Sequence, residues 1–359
     1  MIHGVGKIKV IAFTSGKSTP SAIYRVREVA KYINKDSGFL VDEYYPLVDK
    51  NKPIPIFHGR VKYRHIAPLV FVWFVFKLLF RFPGLIRQRM YNIAWLNREF
   101  LPGLFTLERF LRIPIVFDFD DAIWLSKPSG KKAFAAHINK ASLVIAGNHY
   151  LADEARKYNK NVIVVPTSID TELLYPKEIQ DNLFRVGWVG TSGNFFYLYS
   201  IEEELYNFVN ATGSIIVITS DVMPKFKFLE HGKHWRFIKW EKSKESNFLN
   251  DMDVGIMPLI DSEWENGKCS FKMLQYMAVG KPVVVSPVGM NIEVMKKGTF
   301  GFKANKGEWT DKLLILYNMS LEERNTFGNN AREIVERDYS LCVNSKILKE
   351  HFTRIVSND

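Results

Sequence analysis

Lys268-Cys-Ser-Phe-Lys-Met-Leu-Gln-Tyr-Met-Ala-Val-Gly-Lys-Pro-Val-Val-Val-Ser-Pro-Val-Gly289 passes from a loop into a helical stretch, a glycine stop, a buried strand and a second loop. Ser270, Phe271 and Lys272 fall where the helix should begin, and Lys268 lies just before it. A helix start offers backbone N–H groups without intrahelical partners and a partial positive charge, so it favours anions. With a lysine on either side, this start would hold a diphosphate, and nucleotide-sugar chemistry is the leading hypothesis. Gly190-Thr-Ser-Gly-Asn194 ends another apolar run. Gly190 lets a ligand approach the backbone, and Thr191 and Ser192 can donate to phosphate. A bare strand–helix turn is the alternative.

Phe117-Asp-Phe-Asp-Asp121 places three carboxylates at the end of an apolar run. They could bind a cation, act as acid, base or positioning groups, or cap the next turn. Asp120 and Asp121 are favoured as the catalytic pair, since crowded carboxylates raise one another's pKa. Arg98 and Glu99 close another apparent strand and would point to the same ligand edge, unless they form a plain surface ion pair. Ser15, Gly16 and Lys17 lie in a strand-to-helix loop that lacks the G-x-x-x-x-G-K-[ST] spacing of a nucleotide-triphosphate loop. Arg25 and Arg27 follow on the next helix, either facing ligand or as solvated surface charges. The histidines are scattered, with no zinc spacing and no Ser/His/Asp order, so no metal is expected.

These groups need a scaffold. At 359 residues and 47% hydrophobic content, the chain should form two packed domains. Apolar runs at Ile8–Thr14, Ile113–Phe117, Leu143–Ala146 and Val162–Val165 alternate with helical stretches, as in a doubly wound parallel sheet. One such helix is expected from about Ser21 to Ile33. The pattern restarts with Phe184–Val189, Ser214–Thr219, Trp235–Lys239, Val254–Met257 and Pro282–Val285. The expected division is 1–175, 176–338 and a terminal helix, 339–359, crossing back to the first domain. Ligands of such sheets bind at the strand carboxyl ends, in a cleft between the domains.

Charge is concentrated. Between His58 and Arg112, ten Lys/Arg face two acids, in a chain of formal charge +11. Ile66 to Arg89 is strongly apolar, but the run before Lys77 is eleven residues, against roughly 20 needed to span a bilayer. Lys77, Arg81, Gly84 and Gln88 share one helical stripe. The expectation is a helix in the interface of an anionic membrane through 60–89, an ordinary buried helix being the alternative. Basic residues interleaved with a thick apolar run do not make a nucleic-acid face, so no nucleic-acid partner is expected. The two cysteines, Cys269 and Cys342, and the absence of an apolar run in Met1–Lys9 fit a cytoplasmic protein, peripheral on the inner face of the membrane.

Taken in order, these pieces resemble the family 4 glycosyltransferases. Ala141-Ser-Leu-Val-Ile-Ala146 is similar to the family's AD-x-V-I-A strand, and Val165-Pro-Thr-Ser-Ile-Asp170 to I-P-N-G-V-D. Asp251-Met-Asp-Val-Gly-Ile-Met-Pro258 resembles A-D-V-x-x-x-P-S, and Leu274-Gln-Tyr-Met-Ala-Val-Gly-Lys-Pro-Val-Val284 resembles L-E-A-M-A-x-G-K-P-V-V. Asn330-Ala-Arg332 and Tyr339-Ser340 resemble the closing helix. The resemblance implies the GT-B fold, two Rossmann-like doubly wound domains facing a central cleft. It also implies metal-independent transfer, with retention, from a UDP-, GDP- or dTDP-sugar to a glycan or lipid-linked acceptor, in cell-surface polysaccharide or lipopolysaccharide synthesis, with no cofactor. The family's two glutamates, eight positions apart, correspond to Gly267 and Gln275, with Glu263 or Glu265 as substitutes for the first. The family's His-Asp corresponds to Asp120-Asp121, and its Arg and Lys after the second domain's first strand are missing from Gly190–Tyr197. The alternatives are an epimerase of the same fold and a non-catalytic binding protein.

Overall fold

The computed structural model describes residues 7–49, 67–177 and 183–357. The chain divides into two units, Met1–Ser168 with Leu341–Asp359, and Ile169–Ser340. Arg60, Lys62 and Arg64 of the basic segment lie outside the described residues.

Unit 1 is built on a six-stranded parallel sheet: β1 (Ile8–Phe13), β2 (Phe39–Tyr44), β3 (Ile93–Asn97), β4 (Ile115–Phe119), β5 (Leu143–Ala146) and β6 (Val162–Val164), in the order β2-β1-β3-β4-β5-β6. The central strands β1, β3, β4 and β5 are buried on both faces, which is why they read as continuous apolar runs. β4 begins two residues later than expected and ends at Phe119, so Asp118 belongs to the strand and not to the loop after it. The expected helix from Ser21 opens as a wide turn, Ala22–Arg27, that becomes α-helical over Glu28–Ile33. The helix Leu341–Ser357 packs within this unit. Asn344 donates to the Pro166 carbonyl and the Ser168 hydroxyl, both at 3.0 Å, and Phe352 meets the Trp95 ring edge-on.

Unit 2 repeats the plan. β7 (Arg185–Val189), β8 (Ile215–Ser220), β9 (Trp235–Lys239), β10 (Val254–Met257), β11 (Val283–Val285) and β12 (Gly301–Lys303) form a parallel sheet in the order β12-β11-β10-β7-β8-β9. Its core gathers Trp188, Phe208, Trp235, Val284 and Trp309. The Arg332 guanidinium donates to the carbonyls of Thr171, Leu174 and Ala278, which ties the segment after Ile169 to this unit. The helix Leu321–Asp338 starts on a reciprocal capping box, Ser320 with Glu323. β2 and β12 were not legible as apolar runs. Each is an edge strand, and β2 alternates buried and open positions.

Candidate functional site

In unit 2 the ligand edge of the sheet is set by the loops after β7, β8, β10 and β11. The helix Phe271–Ala278 begins at Ser270, which is buried and left-handed, with φ +51°. Among the described residues only Ser270 and Arg98 combine a side chain with positive φ. Such conformations cost about 1–3 kcal/mol and persist where the surroundings impose them. At Ser270 the surroundings are explicit. Its hydroxyl donates to the Asn291 carboxamide oxygen at 2.7 Å, and Asn291 donates to the Ser286 carbonyl at 3.0 Å. Ser270 therefore does not cap the helix with its side chain. The chain before it is fixed too: Gly289, φ +53°, approaches so closely that a Cβ there would lie 2.9 Å from the Asn266 carbonyl.

Lys272 stands in the first turn of this helix. Its ammonium lies 5.8 Å from the centre of the Trp188 ring, and its Cε is 2.9 Å from where a Cβ on Gly190 would be. The glycine lets the lysine stem cross the β7 loop. Lys268 sits over Trp264 at 5.5 Å. Tyr276, one turn into the helix, is buried and accepts the Val189 N–H at 2.9 Å, pinning the helix to the end of β7; burial raises its pKa. Gly190, Lys272 and the helix start are thus brought together, and Phe271 opens the helix.

Three neighbouring groups carry interactions that sequence spacing could not reveal. The Ser192 N–H and hydroxyl both donate to Asp221, at 2.6 and 2.8 Å, so the β7 loop already holds a carboxylate at Ser192, whereas Thr191 remains exposed. Gln275 is buried and donates to Glu245 at 2.7 Å; Glu245, also buried, pairs with Lys242 at 2.5 Å. A carboxylate therefore stands behind Gln275. Glu265 is buried and takes hydrogen bonds from Tyr197 and Ser262, holding the short helix Glu263–Asn266, while Glu263 is exposed.

In unit 1 the predicted groups separate into an open pair and a sealed one. Arg98, φ +66°, donates to Asp120 and Asp121, both at 2.5 Å, with side chains 15 to 20% exposed. Burial pushes the Asp120 carboxyl up, but Arg98 outweighs it and holds the group below its ordinary range. This corrects the expectation that crowding raises it: the shared guanidinium separates the two charges. Asp118 is different. It is fully buried, faces Arg25 at 2.6 Å and accepts from the Trp95 indole at 3.1 Å, and burial raises its pKa. Among the described residues the carboxylates do not gather as a metal-ligand set.

Arg25 is neither a surface charge nor an open phosphate contact. It is buried and also donates to Thr167 and the Val165 carbonyl, just past the end of β6. Arg27 clamps Glu43 at 2.6 and 2.7 Å. The β1 loop holds a carboxylate of its own: Lys17 N–H and the Ser18 hydroxyl donate to Asp49, and a Cβ on Gly16 would strike that carboxylate. The Ser15 hydroxyl is buried with no hydrogen-bond partner among the described residues, the Lys17 side chain is exposed, and Glu99 is buried.

Residues 208–319 match the family model described as Glycosyl transferases group 1. No curated protein matches the chain. Sucrose-phosphate synthase from Thermosynechococcus elongatus superposes with TM-score 0.74 at 13% identity, covering 98% of this chain and 100% of that one. HepE of Anabaena, in complex with UDP and glucose, superposes with TM-score 0.66 at 15% identity over 96% and 99% of the two chains. The catalytic domain of starch synthase IV from Arabidopsis thaliana, bound to ADP and acarbose, gives TM-score 0.66 at 12% identity over 98% and 100%. The fold is GT-B. The match over 208–319 and the shared fold agree with the resemblance to the family 4 glycosyltransferases.

Proposed function

We propose that the chain transfers a sugar from a nucleotide-sugar donor to a glycan or lipid-linked acceptor, with retention at the anomeric carbon. The observation that carries this is Ser270: a buried residue locked in a left-handed conformation at a helix start, with Lys272 drawn beside the Gly190 loop. The GT-B neighbours support it, since HepE is described with UDP and UDP-glucose and starch synthase IV with ADP. The donor is a UDP-, GDP-, ADP- or dTDP-sugar.

In this reading the helix start, Lys272, Lys268 and Thr191 take the diphosphate. The bond from the anomeric carbon to the diphosphate oxygen breaks, a bond to the acceptor hydroxyl oxygen forms on the same face, and the hydroxyl proton passes to the leaving diphosphate, which gains negative charge as it departs. Fixed donors at that point stabilise the transition state more than the ground state and require no cation. Gln275, backed by Glu245, offers a neutral contact to the ribose. In unit 1, Asp120 and Asp121 position the acceptor hydroxyl, and Arg98 fixes both carboxylates. Because Arg98 holds Asp120 below the ordinary carboxylate range, Asp120 is a charged hydrogen-bond acceptor that can orient the hydroxyl, and neither an acid nor a strong base. Production of surface glycan on the cytoplasmic side of the membrane is the setting that fits such an enzyme.

Asp121→Asn is expected to lower turnover about ten- to a hundredfold with donor affinity nearly unchanged. Steady-state kinetics with a nucleotide sugar checks this. A variant that melts earlier but turns over normally would reduce Asp121 to the turn it occupies before Ile123. One observation favours a second reading, a binding protein without turnover. Gly267 has no carboxylate to offer and Gln275 is already bonded to Glu245. Donor binding without release of nucleoside diphosphate would establish it.

A further inference from the structure

The helical segment Ala67–Leu79, continued by Phe82–Arg87 and the turn Gln88–Met90, is built inside out. Its polar stripe faces the protein: Lys77, Arg81 and Gln88 are buried, at 6, 2 and 7% exposure. Its apolar positions face outward: Phe71, Val72, Leu79, Phe82, Ile86 and Met90 are each more than half exposed. A core helix does the reverse, so the bland alternative of an ordinary buried helix fails.

The reason lies in the contacts beneath. Arg81 donates to the Thr14 carbonyl at 2.7 Å and lies over the Phe100 ring at 4.7 Å. The Tyr44 hydroxyl donates to the Phe80 carbonyl at 2.5 Å. Gly84 has room for no side chain, since a Cβ would come within 2.6 Å of Phe13 and 2.8 Å of Tyr44. These contacts bind the segment to β1 and β2 of unit 1. Gln88 then joins a second element to it, donating to the Phe110 carbonyl at 3.3 Å and accepting from Arg112 N–H at 2.7 Å. Phe110, 58% exposed, thereby extends the apolar face.

The charge around this face is mainly positive. Arg87, Arg89, Arg109 and Arg112 are exposed, whereas the two acids of residues 67–112, Glu99 and Glu108, are buried; one exposed acid adjoins the segment, Asp42 of β2, which accepts from the Tyr91 hydroxyl at 2.8 Å. Pro68–Met90 is long and apolar enough to cross a membrane, at 23 residues. Crossing would tear Arg81 from Thr14 and Gly84 from Phe13, so the segment lies along unit 1 and not through a bilayer. An apolar face rimmed by four exposed arginines, against the single exposed acid Asp42, complements an anionic lipid surface, where side chains enter the headgroup–acyl boundary and arginines meet phosphates.

We propose that this composite face of unit 1, the Ala67–Met90 segment with the Leu107–Arg112 turn, docks on membranes rich in anionic phospholipid. It deepens the transferase reading, on which only one consequence rests: a lipid-carried acceptor. Vesicle binding needs no nucleotide sugar, so the two ideas fail separately.

The test is co-sedimentation of the full chain with vesicles of phosphatidylglycerol and phosphatidylcholine, and with phosphatidylcholine alone. Binding is expected to the anionic vesicles and to weaken with added salt. The double variant Phe71→Ser, Ile86→Ser should bind at least about tenfold more weakly, from the apolar area removed from lipid. Arg87→Gln with Arg89→Gln should lose about tenfold, from two surface charges. Both pairs are exposed, so their melting temperatures should match the wild type's. A wild type that stays in the supernatant, or variants that bind as well as it does, would overturn the proposal. So would a solution dimer abolished by the Phe71/Ile86 variant and unaffected by vesicles, since a second copy would then cover the face.

Discussion

Lys272→Ala is expected to weaken binding of a nucleoside diphosphate about ten- to a hundredfold. A charge-assisted contact to phosphate is worth about 1.5–3 kcal/mol, and titration calorimetry reads the difference as affinity. The side chain is directed, not merely nearby. Trp188 lies under its ammonium, Gly190 leaves room for its stem, and Tyr276 on the same helix fixes the helix to Val189. The contact with Trp188 is worth about 0.5–1 kcal/mol, so the melting temperature should fall by only a few degrees. Affinity equal to the wild type's would remove Lys272 from the donor site.

Glu108→Ala should be among the most destabilising single changes in unit 1, at about 3–5 kcal/mol. Glu108 is fully buried. It accepts from Phe100 N–H at 2.6 Å, Thr106 N–H at 2.7 Å, the Thr106 hydroxyl at 2.8 Å and His137 at 3.2 Å. Its loss orphans those donors. Burial by itself would push its pKa up, but His137 and the Phe100 N–H outweigh that and hold it at about 2, against an ordinary 4.5. A pKa depressed in the folded state contributes stability that is complete above 4.5 and lost as pH falls toward 2. The difference corresponds to about 3 kcal/mol. Denaturant unfolding across that range should show a shallower acid limb in Glu108→Gln than in the wild type. Parallel limbs would show that Glu108 does not carry this pH dependence.

The fold was legible because a parallel sheet covered on both faces leaves unbroken apolar runs, as at Leu143–Ala146 and Val254–Met257. The strands Phe39–Tyr44 and Gly301–Lys303 escaped because the first turns polar at Asp42-Glu43 and the second is three residues long with none buried; edge position alone does not hide a strand, since β6 and β9 are edges too. The Lys268–Gly289 stretch was legible as an anion site because lysines and a helix start adjoin in sequence. Its support was not. Asp221 reaches Ser192 across 29 positions and Glu245 reaches Gln275 across 30. No local spacing encodes such pairs. Helical periodicity shows which positions share a face, but not which face turns outward. That is why Lys77, Arg81 and Gln88 could be grouped but their burial could not be foreseen, and why Arg25 looked open although Asp118 seals it.

The central claim is that unit 2 holds a sugar nucleotide at the helix beginning with Phe271. The most direct measurement is nucleoside diphosphate release from a panel of UDP-, GDP-, ADP- and dTDP-sugars, with wild type and Lys272→Ala side by side. The account predicts slow release from at least one donor by the wild type, reduced about ten- to a hundredfold in the variant at sub-saturating donor. No binding and no release with any member of the panel would contradict it.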